Sequence, residues 1–179
     1  MVRFQRQPPG TAFTRGALIV GGVLAGSASW LLVSRHVQPA GAAAAAAGVL
    51  LLLGGHRANH GSGGPVDRML TEILDRAWDG AILGAIAWSW FPVRSHVAAG
   101  ALVALCASSL SSYVRARGAA LGYSVEESHV TRTLRYALIS VGLLARGAVG
   151  WGVWTAAVVG ILATVVRTGQ VAREERGAV

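Results

Sequence analysis

Apolar and polar positions in this chain come in long blocks. Residues 1–14 are polar, with Arg3, Arg6 and the Pro8-Pro9 pair. Residues 16–33 are apolar and long enough to cross a bilayer, which takes about 20 residues of helix. A turn at 35–39 leads to a second apolar segment at 40–53, alanines and then leucines. It is short for a span and is expected to extend back through His36 or forward through Gly55. Residues 54–65 are glycine-rich, with Asn59 and Ser62, and read as a loop. A third helix is expected over 66–90, polar in its first three turns, apolar later, and closed by Pro92. A fourth is expected over 97–117, a loop over 118–128, a fifth helix over 130–144, and a sixth from 147 or 149 to 166.

These blocks predict an all-α, polytopic membrane protein with six transmembrane helices in one bundle. An N-terminal arm (1–14) precedes the membrane domain (15–167), and a polar tail (168–179) follows it. A cleaved signal peptide competes for the first segment, whose residues 25–29 are small. Five further apolar segments favour a retained helix.

Composition sharpens the class. Of 179 residues, 53% are hydrophobic and only 13% charged, about half the charged share of an ordinary soluble domain. A lone cysteine, Cys106, excludes an internal disulfide framework. In its apolar run it reads as a small buried hydrophobe. The net charge of +8 comes from arginine, with no lysine present. With both termini on one side, only Arg35, Arg94 and Arg146 fall on the other, and all eight acids share the arginine-rich side. The positive-inside rule then puts both termini in the cytoplasm of a cell-membrane protein. Arginines that flank apolar segments point to membrane lipids or an anionic substrate, and away from nucleic acid. Trp30, Trp88, Trp90 and Trp151 fit the aromatic belt of the opposite face. Gly22 and Gly26 have the spacing of a close helix contact.

Two polar stretches carry the candidate chemistry. In 54–79, Glu72, Asp75 and Asp79 follow helical spacing and share a face. Acids in a membrane helix are costly unless solvated, paired or metal-bound. A Glu72–Arg76 surface pair and a hard divalent cation on the carboxylates are the two readings. In 112–135, Arg115 and Arg117 are followed by Arg132 and Arg135, three apart on one helix face. Four arginines beside carboxylates suit a phosphate, or ordinary contacts with lipid headgroups.

These stretches also carry ordered motifs. Asp75-Arg76-Ala77-Trp78-Asp79-Gly80-Ala81, Ser112-Tyr113-Val114-Arg115-Ala116-Arg117 and Arg132-Thr133-Leu134-Arg135 resemble the CDP-alcohol phosphatidyltransferase family, in particular its phosphatidylinositol-phosphate synthase-like branch. The likeness covers roughly residues 40–176 and is specific over 66–144. It implies six membrane helices and a homodimer. It also implies transfer of a phosphatidyl group from CDP-diacylglycerol to an alcohol or polyol phosphate such as inositol phosphate, with release of CMP. By the same resemblance Asp75 is the catalytic base, and Asp75 and Asp79 are metal ligands for Mg2+ or Mn2+. Arg115, Arg117, Arg132 and Arg135 hold the acceptor phosphate, and Gly54 belongs to the nucleotide-binding turn.

The family signature is degenerate here. With Asp75 as its last acid, the third acid falls on Thr71, the signature glycine on Asp67, and the two leading acids on Leu50 and Leu53. The expected Ala-Arg pair reads Arg57-Ala58. Shifting the register by four restores the last two acids as Asp75 and Asp79, but puts Gly54 and Arg57 where the leading acids belong. Leucine and threonine cannot replace carboxylates around a hard cation. A rebuilt site would draw on His56, His60, Asp67 and Glu72, the two histidines pairing only if their segment is helical. The alternatives are a family member that binds a lipid headgroup, a phosphate or a partner protein without catalysis, and an unrelated small transporter.

Overall fold

A computed structural model describes residues 10–60, 64–123, 129–145 and 147–177. Among them the chain forms six helices and no strand: α1 (Gly10–Val33), α2 (Val37–His60), α3 (Pro65–Trp90), α4 (Ser95–Ala120), α5 (His129–Leu144) and α6 (Val149–Gly177). The apolar blocks predicted the order and type of every helix. Four of the six, α1, α2, α4 and α6, are long and apolar enough to cross a membrane. Helix α5 has 16 residues, about 24 Å at 1.5 Å per residue, and α3 carries the acids. Arg3 and Arg6 in the arm, the centre of the 54–65 loop, residues 124–128 and Arg146 lie outside the described residues.

Two helix ends differ from the expectation. Helix α2 continues through the glycine-rich segment to His60. A side chain at Gly54 would meet Leu18 of α1 at 2.8 Å, and one at Gly55 would meet Thr71 of α3 at 2.8 Å. The paired glycines therefore let three helices pack closely, and Gly54 is an interior helix position, not a turn. Helix α6 runs on to Gly177, eleven residues past the expected end at 166. The added turns carry three arginines, two glutamates, Gln170 and Ala172, all good helix formers.

Helix α1 packs on α2 and α3, α2 on α5, α3 on α4, and α6 on both α4 and α5. The core between them is narrow because its residues are small: Ala40, Ala44 and Ala47 of α2 and Ala98, Ala101 and Ala104 of α4 are buried. Small residues let helix backbones approach where lipid supplies little driving force for association. Gly142 and Gly152 bring α5 and α6 together, with a side chain at Gly152 meeting the Leu138 carbonyl oxygen at 2.7 Å. Of the Gly22–Gly26 pair, only Gly22 faces a close neighbour, Leu74.

Large side chains fill what remains. Trp78 is fully buried, its ring centroid 4.3 Å from that of Tyr136, and its indole N–H donates to the Ala44 carbonyl at 3.3 Å. Trp30, Trp88 and Trp151 stand outward, as belt residues do. Cys106 also lies on an exposed face of α4. It was expected in the core, but the inner face of α4 is taken by alanine.

Helix α3 starts at a defined cap. Pro65 occupies its first position, and Asp67 accepts from the Gly64 N–H at 2.9 Å. The same buried carboxylate is held by Arg15 of α1 at 2.6 Å. This clasp sets the register of α3 against α1 and so aims the face that carries Asp75 and Asp79.

Candidate functional site

Asp75 and Asp79 lie one turn apart on the inner face of α3, and both are buried. Neither is left to carry its charge alone. Arg132 approaches Asp75 Oδ1 at 3.3 Å and Arg135 approaches it at 3.2 Å. Tyr136 donates its hydroxyl to the same oxygen, and Arg76 donates to Oδ2. Asp79 is paired with Arg135 Nε at 2.7 Å and with Arg76 at 3.4 Å, and accepts from the Ser108 hydroxyl. Three guanidiniums thus face two carboxylates. Buried charges persist in a protein only when paired and hydrogen-bonded in this way.

Each partner is delivered by helical spacing. Arg132, Arg135 and Tyr136 project from one face of α5 towards α3. Arg76 turns away from Glu72 and towards α4, where it donates to the carbonyl and hydroxyl of Ser108, both at 2.9 Å. The expected Glu72–Arg76 pair is therefore not made. Glu72 pairs with Arg115 of α4 at 3.1 Å, joining two helices across the rim.

A narrow polar recess of about 30 Å³ lies beside this cluster, between α3, α4, α5 and α6. Asp75, Arg76, Arg115, Arg132, Arg135 and Arg167 supply its ionised lining, with Ser108, Ser111, Ser112 and Thr131 between them. Arg167 reaches in from α6 and donates to the carbonyl and hydroxyl of Ser111 at 3.0 and 2.7 Å. Among these lining residues, five arginines meet one aspartate. A short, convergent array of guanidiniums and hydroxyls is chemistry suited to phosphate oxygens.

The structure thus gathers Asp75, Asp79, Arg115, Arg132 and Arg135. It leaves Arg117 on the exposed side of α4, outside the recess, and Gly54 inside α2 against α1. It adds Arg76, Arg167, Ser108, Ser111 and Tyr136. Arg76 and Ser112 stood within the motifs. Arg167 and Tyr136 lie in apolar or terminal sequence and gave no local signal.

The residues present do not fit a resident divalent cation. Asp75 and Asp79 are engaged by arginine, and the other acids of α3 are taken up elsewhere, Asp67 by Arg15 and Glu72 by Arg115. Leu50 is half-buried, Leu53 is exposed, and Thr71 gives its hydroxyl to the Asp67 carbonyl at 2.8 Å. The helical extension does bring His56 and His60 together, ring centroids 4.9 Å apart, with His129 5.7 Å from His60. Still, among the described residues no group of three or more His, Cys, Asp or Glu is placed to hold a metal ion.

Known proteins share this chain's sequence pattern and fold. The chain is 33% identical over 141 residues to a phosphatidylinositol phosphate synthase of Corynebacterium glutamicum, a match over 76% of this chain and 63% of that protein. The resemblance to the CDP-alcohol phosphatidyltransferases is borne out. The chain spans under two thirds of the length of that curated relative. No family model matches it. The crystal structure of Mycobacterium tuberculosis phosphatidylinositol phosphate synthase with CDP-DAG bound superposes with a TM-score of 0.73 at 21% identity, covering 88% of this chain and 85% of that one. The same enzyme in complex with manganese and citrate gives 0.73 at 21% identity, over 90% and 88%. The fold is therefore that of a phosphatidylinositol phosphate synthase, an enzyme whose solved structures hold a nucleotide-linked lipid and a divalent metal.

Proposed function

We propose that this protein is a CDP-alcohol phosphatidyltransferase-like membrane protein of phospholipid biosynthesis. Its substrates are CDP-diacylglycerol and a phosphorylated alcohol such as inositol phosphate. The observation that carries the reading is the recess, in which Arg115, Arg132, Arg135 and Arg167 converge beside Asp75. Six membrane-crossing helices, with both termini in the cytoplasm, put that recess at the cytoplasmic boundary of the bilayer. There a lipid keeps its tails in hydrocarbon while its phosphates reach the arginines.

In the transfer, the acceptor hydroxyl attacks the phosphatidyl phosphorus. The bond from that phosphorus to the bridging oxygen breaks, and CMP leaves with the oxygen. The hydroxyl proton passes to Asp75. Both oxygens of Asp75 are engaged in the structure, so it cannot take a proton as it stands. A phosphate dianion entering the recess competes for Arg132 and Arg135 and draws them off the carboxylate. Binding of the acceptor is then what frees the base. Arg117 is exposed on α4, outside the lining of the recess.

A second reading is favoured by a different observation. No carboxylate stands at Leu50, Leu53 or Thr71, and arginines engage the two that remain on the inner face of α3. Such a chain would bind the headgroup without transferring it.

Reconstitution with labelled CDP-diacylglycerol, a panel of acceptors, and Mg2+ or Mn2+ separates the two. CMP release that disappears in Asp75→Asn supports transfer. Headgroup binding without CMP release, for every acceptor and metal, supports the second reading.

A further inference from the structure

An arginine of α5 lies against the contact between α2 and α3. A side chain at Gly55 of α2 would meet Thr71 of α3 at 2.8 Å and Arg132 Nη1 at 3.3 Å. The Arg132 guanidinium therefore lies against α2, beside the contact of Gly55 with Thr71. From there its Nε reaches Asp75 at 3.3 Å. Arg135 bridges the two buried carboxylates, with Nη2 on Asp75 and Nε on Asp79. Arg76 bridges them again from the α4 side.

A cation shared between two carboxylates is the arrangement a bridging metal ion makes. Here it is made twice, by guanidiniums, which cannot lose their charge at any ordinary pH. With three such groups on two carboxylates, a further divalent cation would enter a cluster that is already positive, and would have to displace buried ion pairs to find oxygen ligands. An anion meets the opposite situation. It finds an excess of positive charge, with Arg115 and Arg167 also lining the recess.

We infer that Arg76, Arg132 and Arg135 take the electrostatic place of a divalent metal in this chain. The recess is then a metal-independent site for a phosphate-bearing anion of the nucleotide or sugar-phosphate class. The inference builds on the proposed headgroup-binding function, but it can fail separately, because metal binding and anion binding are measured independently.

The test uses the full chain purified in detergent. Mn2+ is titrated in and the free ion is followed by electron paramagnetic resonance. CMP binding is measured by calorimetry, once with a chelator and once with excess Mn2+. The inference expects no saturable loss of the free Mn2+ signal, and CMP affinities that agree within about twofold with and without metal. Arg132→Gln is expected to weaken CMP about tenfold in both conditions, the effect of losing one charge-assisted contact. Arg167→Gln gives a parallel reading should the first variant fold poorly.

Stoichiometric Mn2+ uptake, or CMP binding that appears only with Mn2+, would overturn the inference. Absence of CMP binding in either condition would count against the headgroup-binding reading. The Mn2+ titration would then still decide whether guanidiniums have replaced the metal.

Discussion

Arg135 of α5 and Asp79 of α3 meet at 2.7 Å, both nearly sealed from solvent. The same guanidinium also reaches Asp75. One arginine of α5 therefore holds two acids of α3, and the stability of the bundle and the character of the recess depend on the same contact.

Replacing Arg135 with methionine keeps the volume and removes the charge. Two buried carboxylates then lose a partner, a change that costs roughly 3–5 kcal/mol when one member of a buried pair is deleted. Thermal unfolding in detergent should show a large drop for Arg135→Met. Adding Asp79→Leu to the same chain should recover part of it. A single variant as stable as the parent would contradict the ion pair.

The rim pair behaves differently. Glu72 is half-exposed and Arg115 partly so, and pairs of this kind are worth at most about 1 kcal/mol. Glu72→Gln is expected to leave the melting temperature nearly unchanged. Because it releases Arg115 towards the recess, it should also tighten the binding of a phosphorylated ligand. Weaker binding would show that Glu72 contributes to the ligand site.

Two glycines separate cheap from costly helix contacts. A methyl group at Gly152 meets backbone, the Leu138 carbonyl oxygen at 2.7 Å and the Gly142 Cα at 3.2 Å. One at Gly22 meets only the end of the partly buried Leu74 side chain, at 3.0 Å, which can turn aside. Gly152→Ala should destabilise by about 1–3 kcal/mol, as overpacking does, and Gly22→Ala by clearly less. The two melting curves, compared side by side, check the order.

Trp78 offers a test of the core away from the charges. It is fully buried, tilted against the Tyr136 ring and hydrogen-bonded to α2. Trp78→Ala should cost about 3–5 kcal/mol. It should also loosen Tyr136, whose hydroxyl is one of the partners of Asp75. A loss of ligand affinity larger in Trp78→Ala than in Trp78→Phe would register that second effect.

Much of this architecture was legible in the blocks of the sequence. The apolar runs marked six helices, and the spacing of Asp75 with Asp79, and of Arg132 with Arg135, put each pair on a single face. What remained hidden depends on contacts between distant segments. Gly54 and Gly55 look like a loop until Leu18 and Thr71 are seen packed against them, and only then is α2 long enough to carry His60. Spacing along α3 offered Arg76 to Glu72, but the hydroxyl and carbonyl of Ser108, thirty-two residues on, hold it on the inner side. Arg167 read as the start of a tail because nothing near it indicates that α6 brings it to Ser111. Arg117, two residues from Arg115 in the same motif, faces outward because positions two apart on a helix lie about 200° around its axis.

The central claim is that the recess among α3, α4, α5 and α6 receives a phosphorylated headgroup. Its most direct test is calorimetric titration of the detergent-purified chain with CDP-diacylglycerol, in parallel with Arg132→Gln. The account predicts saturable binding to the parent chain and a loss of about tenfold or more in the variant. Equal affinity in the two chains, or no binding to either, would contradict it.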